Sequence, residues 1–245
     1  MTGLKDEDIE KESLKDLKAI VENSKEWGVE AAVIGGYAVR AFTNAYRHTK
    51  DIDMVIAKEE KGRFTALLKS LDYELRDTEF GMAASKPFDS DFIDVHISVG
   101  NIYDMSSGKS YPVTQELFNN KKIMLVGTKY EINKEFETKS PIVDLDTLII
   151  LKLIPKGRPE KDAIDIMSLI IDRIQEISIP TIVKKCKETG FTDYIRSQIQ
   201  EFATKVNTGE MDHIWSTVTG TAMIGARKKG IQQFFRDLDS GLKNS

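Results

Sequence analysis

Apolar positions recur at two different spacings along this chain, and the change between them divides it. Leu14, Leu17, Ile20 and Val21 fall on one side of a helical wheel, which predicts an amphipathic helix over residues 5–27 ending at Gly28. Short apolar runs at 31–34, 51–56 and 92–98 read as buried strands, with weaker strands near 73–76 and 81–85. Residues 37–46 and 62–71 carry helical spacing between them. The stretch 100–112, rich in Gly, Ser and Pro, reads as a loop, and 122–126 with 130–132 as a small hairpin across Gly127-Thr128. After Pro141 the strand signal stops. Residues 144–154, 159–174, 180–188, 192–206 and 225–242 all show helical spacing. The expected architecture is therefore α+β: a mixed sheet with flanking helices over 1–140, followed by an all-helical domain over 141–245.

Composition narrows the class without choosing a function. The chain has 245 residues, 40% hydrophobic and 30% charged, enough for a real core. The formal net charge of -4 argues against a protein that coats nucleic acid. Residues 181–245 hold 10 Lys/Arg against 7 Asp/Glu, leaving 25 against 32 elsewhere. Basic clusters there, Lys184-Lys185 with Lys187 and Arg227-Lys228-Lys229, read either as RNA contacts or as solvated helix faces. Cys186 is the single cysteine, which excludes an internal disulfide and a cysteine-based zinc site. Three histidines are too few and scattered for a histidine metal site. The charged N-terminus lacks a signal-like apolar segment, and no apolar run approaches membrane-spanning length, so a cytoplasmic protein with no membrane partner is expected.

The chemistry concentrates between Val33 and Asp94. An apolar strand runs into Gly35-Gly36 and then a helix, an arrangement that lets backbone N–H groups approach an anion such as a triphosphate. A plain tight turn with no ligand is the simpler explanation of a lone Gly-Gly. Asp51 and Asp53 follow in the next strand. Residues i and i+2 of a strand project to one side, roughly 6–7 Å apart at Cα, so these carboxylates can share a hard cation such as Mg2+. Alone the pair says little, since acid-x-acid arises by chance about six times at this composition. Asp94 adds weight, because Ile93, Val95 and Ile97 take one face of its strand and leave Phe92, Asp94 and His96 on the other. His96 there is open to two readings, an approach to an acceptor or a structural hydrogen bond.

In type, order and strand context, Gly35-Gly36, then Arg47-x-Thr49-x-Asp51-x-Asp53, then Asp94 resemble the signature of the nucleotidyltransferase superfamily related to DNA polymerase β. The match covers roughly residues 31–98. A looser resemblance places Lys152, Arg158, Asp162 and Asp165 much as the abortive-infection toxin-type nucleotidyltransferases place a lysine followed by an Arg/Lys-Asp-x-x-Asp segment. Residue 37 is a tyrosine where many members have a small or hydroxyl residue.

The resemblance implies a metal-dependent transfer of an NMP from an NTP to an acceptor hydroxyl on RNA, protein or a small molecule. Two Mg2+ ions, with Mn2+ as an alternative, would be held by Asp51, Asp53 and Asp94. Gly35, Gly36, Arg47, Thr49 and Lys152 would serve the nucleotide, and Tyr37 or Phe92 could stack on its base. A protein partner is also compatible. Lys152, the single charge in an apolar run, reads equally as a snorkelling lysine beside a surface ion-pair ladder of Arg158, Asp162 and Asp165. The alternative from another class is a nucleotide-binding regulator or antitoxin-like partner that keeps the fold and transfers nothing.

Overall fold

The strongest helical periodicity forms the longest helix. Leu14, Leu17 and Ile20 are buried on one side of α1 (Gly3–Glu26), and Lys25 in its last turn complements the helix dipole. The computed structural model describes residues 3–44, 48–79, 81–127, 136–156 and 160–244. The chain divides into two units, one of Met1–Ala41, His48–Tyr103 and Ser110–Asp144, the other of Phe42–Arg47, Asp104–Lys109 and Leu145–Ser245.

The first unit is built on a mixed seven-stranded sheet in the order β3-β4-β5-β2-β1-β9-β8. These strands are β1 (Ala31–Val33), β2 (Ile52–Ile56), β3 (Glu74–Thr78), β4 (Gly81–Phe88), β5 (Asp91–Val99), β8 (Lys122–Gly127) and β9 (Glu137–Ile142). The centre follows from composition: β1 and β2 are almost wholly apolar and buried, as strands covered on both faces must be. β2 pairs antiparallel with β1 and parallel with β5, so both acid-bearing strands lie side by side in mid-sheet. On β5 Ile93, Val95 and Ile97 are buried while Phe92 and His96 are exposed, as the alternation requires. Helices α2 (Gly35–Phe42), α3 (Lys61–Ser70) and the short α4 (Gln115–Asn119) complete the unit.

Three expectations change here. The stretch 100–112 is not a plain loop. It holds a two-stranded sheet, β6 (Asn101–Asp104) and β7 (Lys109–Pro112), around a turn in which Asp104 Oδ2 accepts from Ser107 N at 2.8 Å and Ser106 Oγ at 2.8 Å. The turn residues dominate the composition and hide the strands. The helix expected over 37–46 begins at Gly35 and is described to Phe42. Finally, the described partner of β8 is β9, whose sequence ETKSPI carries little strand signal and contains Pro141. The expected partner segment, 130–132, lies outside the described residues. A proline inside a sheet withholds one ladder bond. It is tolerated here because β9 meets β1 only at Val33↔Ile142, one residue later.

The second unit carries α5 (Leu145–Leu153), α6 (Glu160–Arg173), α7 (Ile179–Thr189), α8 (Thr192–Thr208), α9 (Glu210–Thr219) and α10 (Gly225–Lys243). Its boundaries use ordinary capping chemistry. Ser178 caps α7 by accepting from Thr181 N, and Gly190 closes it at φ +73, a left-handed backbone that favours glycine. Phe202 of α8 packs on Phe235 of α10 with ring centroids 5.0 Å apart, joining the two helices through buried aromatic area. Among the described residues no helix is long and apolar enough to cross a membrane.

Cys186, on α7, is fully buried, and burial pushes its thiol up to about 12. The folded protein is therefore expected to resist Ellman's reagent at pH 8 and to release one equivalent of chromophore only in guanidinium. Rapid labelling of the native protein would show that α7 does not pack as described.

Candidate active site

Gly35 sits where no other residue can. Its φ is +67, and a Cβ at this position would collide with the carboxylate of Asp53, with Cγ 2.6 Å and Cβ 2.7 Å away. Both facts follow from the strand-to-helix turn. Ile34 N donates to Asp53 O at 2.9 Å, locking the end of β1 to β2, and the chain then reverses tightly into α2. The carboxylate of Asp53 thereby rests against the N-terminal turn of α2, where backbone N–H groups and the helix dipole favour negative charge. Gly35→Ala is expected to destabilise the protein by about 1–3 kcal/mol and to displace Asp53. A chemical-denaturation midpoint equal to that of the wild type would contradict this contact.

Strand register gathers the acids. Asp53 pairs with His96 and Ile52 with Val95 across the parallel β2–β5 ladder, so the next step back sets Asp51 beside Asp94. Asp51 immediately precedes β2. His96 Nδ1 lies 3.2 Å from Asp53 Oδ1, and Ser85 on β4 donates its hydroxyl to Asp94 Oδ1 at 2.6 Å. The His96 pKa is raised, first by the hydrogen bond to Asp53 against the opposing effect of burial, then by the charges of Asp53, Asp51 and Asp94. Lys50, held 2.8 Å from Asp91, is likewise raised by that hydrogen bond and, more weakly, by Asp51 and Asp94. Asp51 and Asp94 therefore act on both groups, with Asp53 adding to them at His96 and Asp91 at Lys50. This is a concentrated negative potential, the electrostatic setting that favours a divalent cation.

Among the described residues no three His, Cys, Asp or Glu side chains are gathered as a ready-made metal cage. Asp53 turns one oxygen to His96 and Asp94 turns one to Ser85 instead. The donor set still fits Mg2+ chemically, since its ligands are hard oxygens. Mg2+ commonly binds through one or two carboxylates together with substrate phosphates rather than through an all-protein cage.

The loop before the acids is fixed from beneath. Glu10 of α1 is fully buried, pairs with Arg40 of α2 and accepts from Thr49 N at 3.2 Å. Ser13, one turn later, donates to Lys50 O at 2.6 Å and accepts from the Tyr37 hydroxyl at 2.9 Å. Thr49 thus meets α1 through its backbone. Tyr37 is fully buried and its hydroxyl pKa is raised by that burial, so it is a core residue and not a base-stacking platform. Phe92 is 52% exposed and keeps that option. Arg47 and Arg158 lie outside the described residues. In the second unit Lys152 Nζ sits 2.8 Å from Asp165 and 3.0 Å from Asp162; all three are largely buried, so the ion pairs form but not as a surface ladder with a snorkelling lysine.

Comparison with known proteins adds the fold. JHP933 of Helicobacter pylori aligns with a TM-score of 0.52 at 11% identity, over 92% of this chain and 90% of that one. The two chains share a fold. Weaker likenesses reach the lincosamide antibiotic adenylyltransferase LnuA, at TM-score 0.41 and 17% identity over 65% of this chain and 94% of that one, and ANT(2")-Ia, solved with adenylyl-2"-tobramycin, at 0.44 and 14% over 78% and 97%. Scores below 0.5 carry nothing further, and the shared fold rests on JHP933. No family model matches the sequence, and no curated protein is detectably similar to it.

Glu10, Ser13, Arg40 and Ser85 did not stand out in the sequence. A signal for the first two is present: Glu10 and Ser13 fall on the helical stripe of Leu17 and Ile20, so these two polar groups occupy core positions of α1 and call for partners.

Proposed function

We propose that this protein is a metal-dependent nucleotidyltransferase that moves an NMP from an NTP to an acceptor hydroxyl. The observation that carries this reading is the seating of the Asp53 carboxylate on the Gly35 backbone at the start of α2, beside Asp51 and Asp94. The motif resemblance supports it. Asp51, Asp53 and Asp94 would hold two Mg2+ ions, which when bound neutralise the triphosphate and lower the pKa of the acceptor hydroxyl. The Gly35-Gly36 turn offers backbone N–H groups to the phosphates without side-chain obstruction. On the same resemblance Arg47, Thr49 and Lys152 are assigned to the nucleotide.

In the reaction the acceptor oxygen forms a bond to the α-phosphorus, the bond from that phosphorus to the β-phosphate bridging oxygen breaks, and pyrophosphate leaves. As an alternative to sharing a metal, Asp94, which accepts a hydrogen bond from Ser85, would take the acceptor proton as general base. Beyond this, catalysis asks of the protein only positioning and charge compensation. A cluster of like charges is unfavourable in a protein that merely binds nucleotide, which weighs against the regulator reading.

The test uses each of the four NTPs labelled at the α-phosphate, with Mg2+, against total RNA, cell protein extract and small-molecule extract in separate reactions. Label is expected in one fraction and absent with Asp51→Asn, which identifies acceptor class and base together. Tight Mg2+–NTP binding with no transfer to any fraction would reject the transferase in favour of the regulator.

A further inference from the structure

The sheet face turned away from the carboxylates walls a cavity that the proposed reaction does not use. Successive side chains of a strand project to opposite faces, so Met54 points away from Asp53, and Met54 lines this cavity. Its volume is ≈ 680 Å³, within the range of small-molecule sites. The walls come from the second half of α1, from β1 and β2, and from the β8–β9 edge of the sheet, all within the first unit.

The lining has two characters. Val21, Ile123 and Pro141 supply accessible apolar surface, and the buried Val29, Ala31 and Met54 form the floor behind it. Ile123, on an edge strand, is 65% exposed, so part of that surface faces solvent uncovered. The charged lining is four lysines, Lys18, Lys25, Lys121 and Lys139, against Glu22 and Glu137. Lys121 is occupied by Glu30 at 3.0 Å. Lys18 and Lys25 lie seven residues apart on one face of α1, and with Lys139 of β9 they are exposed and form no ion pair with the described residues. Ser24 also lines the cavity, is 6% exposed, and its hydroxyl has no hydrogen-bond partner among the described residues.

An apolar chamber rimmed by excess positive charge discriminates by chemistry. Lysine stems can lie along the apolar walls while their ammonium groups gather at an anion. A neutral hydrocarbon gains only burial, and a cation is repelled. The geometry points to a binding site for an amphipathic monocarboxylate. Its hydrocarbon or aromatic body lies against Val21, Ile123 and Pro141, over the floor of Val29, Ala31 and Met54, and its carboxylate lies among Lys18, Lys25 and Lys139. This site is independent of the transferase reading.

Calorimetric titration of the full chain with decanoate, decanol and decyltrimethylammonium, each below its aggregation threshold, tests it. Decanoate is expected to saturate at one equivalent and to bind at least tenfold tighter than either analogue. The exposed triple variant Lys18→Gln, Lys25→Gln, Lys139→Gln is expected to weaken decanoate at least tenfold without lowering the melting temperature of the free protein. With methyl-labelled methionine, the Met54 resonance is expected to shift on decanoate addition. Absence of saturable decanoate binding, equal affinity for decanol, unchanged affinity of the triple variant, or an unmoved Met54 signal would each overturn the assignment.

Discussion

Asp53→Asn is expected to lower nucleotidyl transfer on the order of 10³-fold or more while leaving the fold intact. The substitution is nearly isosteric, so the contact with Gly35 and a hydrogen bond toward His96 can persist. What disappears is the negative charge. Its repulsion with Asp51 and Asp94 offsets what the α2 dipole and the His96 contact return, so the charge adds little net stability to the fold. The melting temperature is therefore expected to stay level or rise slightly, while the rate of label transfer at saturating NTP collapses. This opposite movement of stability and activity is the signature of a group kept for chemistry. Activity within tenfold of the wild type would remove Asp53 from the site.

Arg40→Met is expected to destabilise the protein by about 3–5 kcal/mol. Arg40 and Glu10 are almost completely withdrawn from water, with side-chain exposures of 5% and 0%. Removing the guanidinium takes from the buried Glu10 carboxylate its shortest ion pair, leaving His48 3.6 Å away, and desolvation of a charge is costly when that compensation is lost. The measurement is the midpoint of urea unfolding. The double change Glu10→Gln with Arg40→Met should recover a substantial part of the loss, because it removes the stranded charge as well. A single variant within 1 kcal/mol of the wild type would show that the pair contributes little. Since Glu10 also holds Thr49 N, the single variant is expected to lose transfer activity along with stability.

The chemistry of the site was legible where periodicity and residue type agree. Asp51, Asp53 and Asp94 could be assigned to shared faces of two strands because alternation in a strand is a local property. Glu10 and Arg40 were not legible as a pair, because they lie 30 residues apart on different helices and meet only through packing. The β6–β7 hairpin and β9 were missed for a different reason. Their sequences are dominated by turn residues or interrupted by Pro141, and their strand character comes from the partner strand rather than from their own side chains.

The sequence by itself determined the buried strands that carry the acids, the glycine turn before them and the helical character of the C-terminal part. Each depends on spacing and residue type within a few positions. Only the tertiary structure decided that β2 and β5 are neighbours in parallel register, that Gly35 touches the Asp53 carboxylate, that Tyr37 is core, and that a lysine-rimmed cavity opens on the opposite face. Those facts depend on which distant segments pair. That choice is made by burial and hydrogen bonding summed over the whole sheet, and no local stretch of chain contains it.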